Sequence, residues 1–176
     1  MAGEIGEVDL KNLCAPEPIS SAHNLTGFSC GHESLDNWLT QRALKNEANN
    51  STRTFVVCNG DNVVGYYSLA AGSVMRDHAT SKLQRNSPDP IPVIILCRLA
   101  VQSGLQGRGI GRSLVRDALL RSIRAAEDIG VRAILVHALD GKVVKFYLDL
   151  GFEPSPIQEE TFFMPLMQVK KILEGG

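Results

Sequence analysis

The sequence predicts a domain of mixed α/β (α+β) class, with a sheet flanked by helices. Runs of β-branched and aromatic residues alternate with segments whose apolar residues recur at helical spacing, and one strongly apolar run leads through glycines into a long amphipathic helix. With 176 residues, 44% of them apolar, the chain can bury a core without disulfides or metals. No window approaches the roughly 18 apolar residues of a membrane span, and the acidic N-terminal residues lack the apolar region of a secretory signal. We therefore expect no membrane partner.

The elements of the first half follow from local patterns. Residues 1–18 are polar and acidic and end in Ala-Pro-Glu-Pro, so we expect a flexible N-terminal segment before a single domain at 19–176. Asn59-Gly60-Asp61 is a hairpin signal between two β-rich runs. The predicted elements of this half are a first strand at 19–25, a helix at about 33–48, and strands at 53–58 and 63–69.

The second half alternates strands and helices. Residues 76–92 begin polar and basic and end in a proline-rich loop, and the very apolar run 93–101 is expected to be the central strand. In the long helix, Leu114, Ala118, Leu119, Ile123 and Ala126 are expected to face inward. The remaining predicted elements are a buried strand at 131–137, a helix at about 141–150 that ends at Gly151, a strand at 161–166 and a further helical turn in the tail.

The four cysteines carry no recognisable metal motif. Cys14, Cys30, Cys58 and Cys97 are widely spaced, no Cys-x-x-Cys occurs, and the four histidines are scattered. We therefore predict free, mostly buried thiols and no metal site.

Charge is distributed unevenly along a chain whose formal net charge is -1. Residues 76–124 contain nine basic and three acidic residues, a local charge of +6. Such asymmetry is typical of a surface that binds a polyanion. For the helical residues Arg116, Arg121 and Arg124, an ordinary solvated helix face is the alternative interpretation.

A glycine-rich turn separates the central strand from the long helix. Its sequence is Gln-Gly-Arg-Gly-Ile-Gly-Arg-Ser over residues 106–113. Glycines let the backbone approach a ligand closely, and free N–H groups at the start of a helix bind phosphate. No Lys-Ser or Lys-Thr follows, which argues against a P-loop, and the spacing differs from the Gly-x-Gly-x-x-Gly of dinucleotide-binding folds. The turn therefore predicts a phosphate site of another kind.

Two segments resemble motifs of the GNAT-type N-acetyltransferases. Gln106-x-x-Gly109-x-Gly111 resembles the loop with which that family binds the pyrophosphate of acetyl-CoA, and Lys-Phe-Tyr-Leu-Asp-Leu-Gly-Phe at 145–152 resembles a second family motif. The order of predicted elements over roughly 19–166 is also that of the family. The resemblance implies the GNAT acyl-CoA N-acyltransferase fold, a mixed and mostly antiparallel central sheet with splayed central strands flanked by helices.

The resemblance also implies how a cosubstrate, acetyl-CoA, would bind without a metal. Backbone groups of Leu99 and Val101 would hold the pantetheine and the acetyl carbonyl, and the amides of residues 106–111 would hold the pyrophosphate. The expected cofactor-binding residues are Leu99, Ala100, Val101, Gln106, Gly107, Arg108, Gly109, Ile110, Gly111, Arg112, Ser113, His137 and Phe146.

Tyr147 is the catalytic residue that the resemblance implies, near the thioester sulfur. An amine would attack the acetyl carbonyl directly while a backbone N–H stabilises the developing oxyanion. A phenol with a pKa near about 10 is protonated and can pass its proton to a departing thiolate with a pKa of about 8.5–9. The structural alternative is a core aromatic beside Phe146. No acidic residue is an evident general base, which favours an α-amine acceptor, with a pKa of about 8, over a lysine.

Further segments resemble the GNAT toxins of type II toxin–antitoxin systems, namely 28–39, 53–56, 65–69, 90–92 and 98–101, although Cys97 stands where that pattern has glycine. The resemblance implies acetylation of the α-amine of the amino acid on charged tRNA, which blocks translation. We expect Arg76, Lys82 and Arg85 to contact tRNA phosphates. The expected partners are aminoacyl-tRNA, a ribbon-helix-helix antitoxin and a second copy of the chain, in the cytoplasm.

Two other functions stay open on the sequence alone. One is a GNAT enzyme that acetylates protein or small-molecule amines, and the other is a CoA-binding module without turnover. The presence of Tyr147 together with the glycine-rich turn argues against the second.

Overall fold

The structure is a computed structural model that describes residues 7–175. The described residues form seven strands and six helices, which confirms the predicted α/β class. In chain order they are β1 (Glu17–Pro18), α1 (Glu33–Gln41), α2 (Ala43–Ala48), β2 (Arg53–Asn59), β3 (Asn62–Val74), α3 (Ser81–Gln84), β4 (Ile91–Val101), α4 (Ile110–Asp128), β5 (Ala133–His137), α5 (Gly141–Asp149), β6 (Glu153–Pro154), β7 (Thr161–Pro165) and α6 (Leu166–Glu174).

The chain divides into two compact units. The first unit comprises the residues up to Ser68 together with Arg98–Val115, and the second comprises Leu69–Cys97 together with the residues from Arg116 onward. Strands β3 and β4 and helix α4 each begin in one unit and end in the other. The boundaries of the predicted single domain, 19–176, stay a prediction.

In the first unit the strands hydrogen-bond in the order β1-β2-β3-β4, with β1 antiparallel to β2. Helices α1 and α2 bury one apolar stripe against these strands, because Leu35, Trp38 and Leu39 recur at helical spacing. Leu39 and Tyr66 are fully buried in this cluster. The core of the first unit therefore holds the end of β4, from which the glycine-rich turn departs.

In the second unit the order is β3-β4-β5-β7-β6. Strand β5 runs parallel to β4 and antiparallel to β7, which confirms the mixed, mostly antiparallel sheet. The β4–β5 register ends with Leu96 opposite Val136, whereas β4 itself continues to Val101. The register ends there because β5 itself ends at His137, so the expected splay of the central strands stays a prediction.

The predicted strand at 19–25 is wrong. The strand is shorter and earlier, with Glu17 and Pro18 opposite Val56 and Phe55. After Ile19 the chain leaves the sheet, because Ser20 and His23 close a polar turn: the His23 N–H donates to the Ser20 carbonyl at 3.2 Å, and the Ser20 N–H donates to His23 Nδ1 at 3.0 Å.

Residues 7–18 of the segment that is predicted to be flexible contain local structure, and their flexibility stays a prediction. Leu10–Asn12 forms a 3-10 turn capped by Asp9, whose carboxylate accepts the Lys11 N–H at 3.0 Å, and Val8 is buried. Leu13 then bridges Asn59 at the end of β2. Residues 1–6 of the predicted segment lie outside the described residues.

The predicted helix at 33–48 is two helices, because the backbone breaks at Arg42, where φ is −121°. The other predicted elements are found with shifted ends: β3 and β4 are longer than expected, and the tail forms the nine-residue helix α6. The cysteines are free thiols, as predicted. Within residues 7–175, every helix is too short or too polar to cross a membrane.

Candidate active site

The glycine-rich turn leaves the end of β4 and enters α4 within the first unit. A 3-10 turn over Ser103–Leu105 precedes the glycines, and α4 begins at Ile110. Gly107 and Gly109 have φ angles of +78° and +88°, in the left-handed region that favours glycine. A Cβ at either position would meet no atom within 4 Å, so these positions need glycine for backbone conformation and not for lack of space.

The side chain of Gln106 holds the turn in place. Its Nε2 donates to the Val101 carbonyl at 2.9 Å and to the Cys30 carbonyl at 2.8 Å. Gln102 adds a second tie, because its Oε1 accepts the Ser29 N–H at 3.0 Å. The Gln106 amide is therefore used inside the protein, which leaves the backbone of the turn to contact a ligand.

The first turn of α4 presents unpaired amides. The Ser113 N–H donates to the Gly109 carbonyl at 3.1 Å, and the N–H groups that precede it have no acceptor within the helix. Arg108, Arg112 and Ser113 are exposed. The positive end of a 19-residue helix beside two exposed guanidinium groups has the electrostatic character that favours an anionic phosphate group.

The strand residues before the turn differ in orientation. Ala100 is buried in the core cluster of the first unit, whereas Leu99 and Val101 on the other face are half-buried. The backbone is therefore the part of Ala100 that can contact a ligand. The Val101 carbonyl already accepts a hydrogen bond from Gln106. The ligand contacts that we expect at Val101 would therefore be made by its other groups.

A cavity of about 420 Å³ lies beside the glycine-rich turn, entirely within the first unit. The start of α4 forms one wall and the N-terminal segment forms another. The lining residues are Leu10, Leu13, Cys14, Ala15, Pro16, Val57, Arg108, Gly109, Ile110 and Ser113.

Tyr147 lies on α5 in the second unit and is only 3% exposed. Its ring packs edge-on against Phe146 at 5.1 Å and against Phe152 at 5.5 Å between centroids. Burial raises the pKa of Tyr147, so the phenol is protonated throughout the physiological range. The helix begins at a cap in which the Asp140 carboxylate accepts two backbone N–H groups, and the left-handed Gly151 follows its end.

The other predicted site residues of the second unit lie on separate elements. His137 ends β5, with its Nδ1 2.9 Å from the Thr161 hydroxyl. Arg76 follows β3, and its guanidinium donates to the Gln84 carbonyl at 3.0 Å. Lys82 and Arg85 are exposed.

The basic residues of 76–124 do not all face solvent. Arg121 pairs with Asp117 at 2.8 Å, as expected for a solvated helix face, while Arg116 and Arg124 are exposed. Arg98 lies over the Trp38 ring at 4.2 Å, and Trp38 stacks on Tyr66 at 5.9 Å. The charge count alone does not reveal this cation–π contact, which takes Arg98 out of any free polyanion surface.

A glycine-rich turn with exposed arginines follows β4 in the first unit, and a buried tyrosine lies on α5 in the second unit. The sequence profile described as the GNAT acetyltransferase domain matches residues 50–154, more than half of the chain. The chain belongs to the GNAT acetyltransferase family.

The chain is similar to members of this family that act on tRNA or are described as toxins. The chain is 48% identical to a tRNA-acetylating toxin of Mycobacterium tuberculosis over 94% of this chain and 99% of that protein. It is similar to the structure of AtaT complexed with acetyl-methionyl-tRNAfMet, with a TM-score of 0.85 and 29% identity over 92% of this chain and 99% of that one. A tyrosine-to-phenylalanine mutant of the AtaT toxin, bound to the C-terminus of the antitoxin AtaR and to acetyl-CoA, matches with a TM-score of 0.80 and 28% identity over 92% and 98%.

Proposed function

We propose that this chain is a toxin that transfers the acetyl group of acetyl-CoA to the α-amino group of the amino acid on charged tRNA, which blocks translation. The observation that carries the proposal is the 48% identity to a tRNA-acetylating toxin over nearly the full length of both chains. The tRNA complex of a similar structure supports the same substrate class.

Acetyl-CoA would bind through its pyrophosphate at the glycine-rich turn. The unpaired amides before Ser113, the positive end of α4 and the exposed Arg108 and Arg112 favour that position. Backbone groups of Leu99 and Val101 would hold the pantetheine and the acetyl carbonyl, with His137 and Phe146 as further contacts. The structure similar to this chain that contains acetyl-CoA supports the choice of cosubstrate.

The chemistry would be direct acetyl transfer. The acceptor amine attacks the acetyl carbonyl, the carbon–sulfur bond breaks, and a backbone N–H stabilises the oxyanion of the tetrahedral intermediate. Tyr147 would donate its phenolic proton to the departing CoA thiolate. Tyr147 carries its proton at neutral pH, and because burial raises its pKa the transfer to the thiolate is uphill. An α-amine with a pKa of about 8 is roughly one-tenth deprotonated at pH 7, far more than a lysine with a pKa of about 10.4, and so needs less help from a general base.

Arg76, Lys82 and Arg85 would contact the phosphates of the tRNA. All three residues lie in the connection between β3 and β4 that contains α3. Lys82 and Arg85 are exposed, and the Arg76 guanidinium donates a hydrogen bond to the Gln84 carbonyl. Contacts of this kind supply affinity and positioning with little readout of sequence.

The regulatory partner would be an antitoxin of the ribbon-helix-helix class, and the chain would act as a homodimer in the cytoplasm. The antitoxin-bound structure of a similar toxin supports the first partner. A second copy would double the positive surface available to tRNA.

The test is acceptor specificity with labelled acetyl-CoA. The purified chain is incubated with total charged tRNA, uncharged tRNA, a lysine-containing peptide and a polyamine, each in a separate reaction. Label on charged tRNA alone supports the proposal. Label on the peptide or polyamine but never on charged tRNA overturns the toxin assignment, and binding of acetyl-CoA with no transfer to any acceptor indicates a module without turnover.

A further inference from the structure

Three side chains within residues 14–23 and one of β2 form a cluster that the acetyl-transfer chemistry does not use. The Sγ atoms of Cys14 and Cys58 and a carboxylate oxygen of Glu17 all lie within 4.8 Å of one another. His23 contacts the carboxylate, because its Nε2 lies 2.8 Å from Glu17 Oε1. All four residues belong to the first unit.

The backbone explains why residues so distant in sequence meet. Leu13 is opposite Asn59 and Glu17 is opposite Val56, so four steps along the N-terminal segment face three steps along β2. The extra residue forms a bulge, a feature that redirects side chains. Val56 and Cys58 are two residues apart and share one face of β2, so Glu17 comes to the face that carries Cys58.

Hydrogen bonds orient two of the three donors, Cys14 and Glu17. The Cys58 N–H donates to Cys14 Sγ at 3.0 Å, so this sulfur is positioned as an electron-rich acceptor. His23 Nδ1 accepts the Ser20 N–H at 3.0 Å, which leaves the proton of a neutral ring on Nε2, facing Glu17. A histidine that fixes a carboxylate in this way is the usual outer support of a metal ligand.

We propose that Cys14, Cys58 and Glu17 form a binding site for a soft divalent cation of the Zn²⁺ class, with His23 as the residue that orients Glu17. Zinc binds both thiolate sulfur and carboxylate oxygen, and tetrahedral geometry with metal–ligand distances of about 2.0–2.3 Å places the donors roughly 3.5–3.8 Å apart. The donors lie within 4.8 Å of one another, so binding would draw them together by about 1 Å. Glu17 is exposed, so water could supply the fourth ligand.

Cation binding would tie the N-terminal segment to β2. Cys14, Ala15 and Pro16 also line the cavity beside the glycine-rich turn, so the cation would fix one wall of that cavity. A ligand that binds the folded chain and not the unfolded one raises its stability by mass action. The expected readouts are therefore metal stoichiometry and thermal stability, neither of which depends on acetyl transfer.

The experiment is a Zn²⁺ titration of the reduced, chelator-stripped full-length chain against a chromophoric competitor, with Co²⁺ as an optical probe. We expect one Zn²⁺ per chain, a higher melting temperature and a thiolate-to-cobalt charge-transfer absorption. Cys14→Ser should remove the absorption and weaken Zn²⁺ binding at least 100-fold, and His23→Ala should weaken it about tenfold, the lower end of outer-shell effects. Cys97→Ser, which changes another half-buried thiol, should bind Zn²⁺ like the original chain.

Three outcomes with the original chain and Cys14→Ser overturn the proposal. They are the absence of stoichiometric binding, binding that Cys14→Ser leaves intact, and formation of a Cys14–Cys58 disulfide in air at saturating Zn²⁺, which would make the thiols a redox pair. Should Cys14→Ser lose its far-ultraviolet circular dichroism, the variant Glu17→Gln decides, because Glu17 is exposed and its replacement spares the core. Unchanged Zn²⁺ affinity in a folded Glu17→Gln chain also overturns the site.

Discussion

The glycine-rich turn and the segment around Tyr147 differ in their exposure to solvent and in the polar groups that they offer. The turn is exposed and offers backbone amides, with two left-handed glycines and a glutamine that ties it to the strand. Tyr147 is buried among aromatic rings and offers a single polar atom on a short helix. Under the proposed function, affinity for acetyl-CoA would come from the solvent-accessible donors of the turn, and the transferred proton would come from the desolvated phenol. Changes in the turn should therefore alter binding, and changes at Tyr147 should alter the rate of the chemical step.

The largest expected effect is on the rate, from Tyr147→Phe. The variant loses the phenolic proton and keeps the packing against Phe146 and Phe152, so acetyl transfer should fall about 10²–10⁴-fold, the usual contribution of a general acid. The affinity for acetyl-CoA, measured by calorimetry, should stay within a factor of about three, because the substitution removes at most one weak hydrogen bond to the ligand. Turnover equal to that of the original chain would show that the proton comes from another group.

Gly109→Asp should act on binding instead. A carboxylate at the start of α4 would repel the pyrophosphate and fill the space that the glycine leaves open, so we expect acetyl-CoA affinity to fall roughly 100-fold, about 2.8 kcal/mol. Gly104→Asp is the matched control, because it adds the same charge in the adjacent 3-10 turn at a position with open space and no left-handed φ. Equal affinities of the two variants would mean that the turn does not bind the pyrophosphate.

Gln106→Ala sharpens the comparison, because it removes the side-chain hydrogen bonds that hold the turn and leaves the glycines of the turn unchanged. Two hydrogen bonds, to the carbonyls of Val101 and Cys30, are lost, and the free energy of unfolding should fall by about 1–3 kcal/mol. Urea denaturation measures this loss. Acetyl-CoA affinity should fall less than in Gly109→Asp, and a stable variant with lost affinity would instead indicate direct contact of the Gln106 side chain with the ligand.

The smallest effect is a pH dependence of stability that separates the two regions. Burial raises the pKa of Tyr147 in the folded chain above its unfolded value of about 10. Its contribution is therefore fully present below pH 10 and is lost as the pH rises beyond it. The urea midpoint of the original chain should fall between pH 9 and pH 11 more steeply than that of Tyr147→Phe, and parallel decreases would show that the phenol is not desolvated.

Local sequence was sufficient for most of the fold. Periodicity predicted α1, β2, β3, β4, α4, β5, α5 and β7, because each buries an apolar stripe or alternation that short-range patterns record. It failed at 19–25, where polar residues close a turn through a histidine side chain, and at Arg42, where one predicted helix is two. Both failures depend on hydrogen bonds or backbone angles that hydrophobic periodicity does not encode.

The features of the candidate site can likewise be separated into those that the sequence predicted and those that only the packing decided. Glycine spacing and the Phe-Tyr segment were enough to predict the anion-binding turn and Tyr147, because such motifs are contiguous in the chain. The burial that raises the Tyr147 pKa, the tie from Gln106 and the Arg98–Trp38 contact were decided by packing between distant segments. The Cys14, Glu17 and Cys58 cluster is the clearest case: its spacing in sequence excluded a metal motif, and only the bulged pairing of the N-terminal segment with β2 brought the three donors within reach of one another.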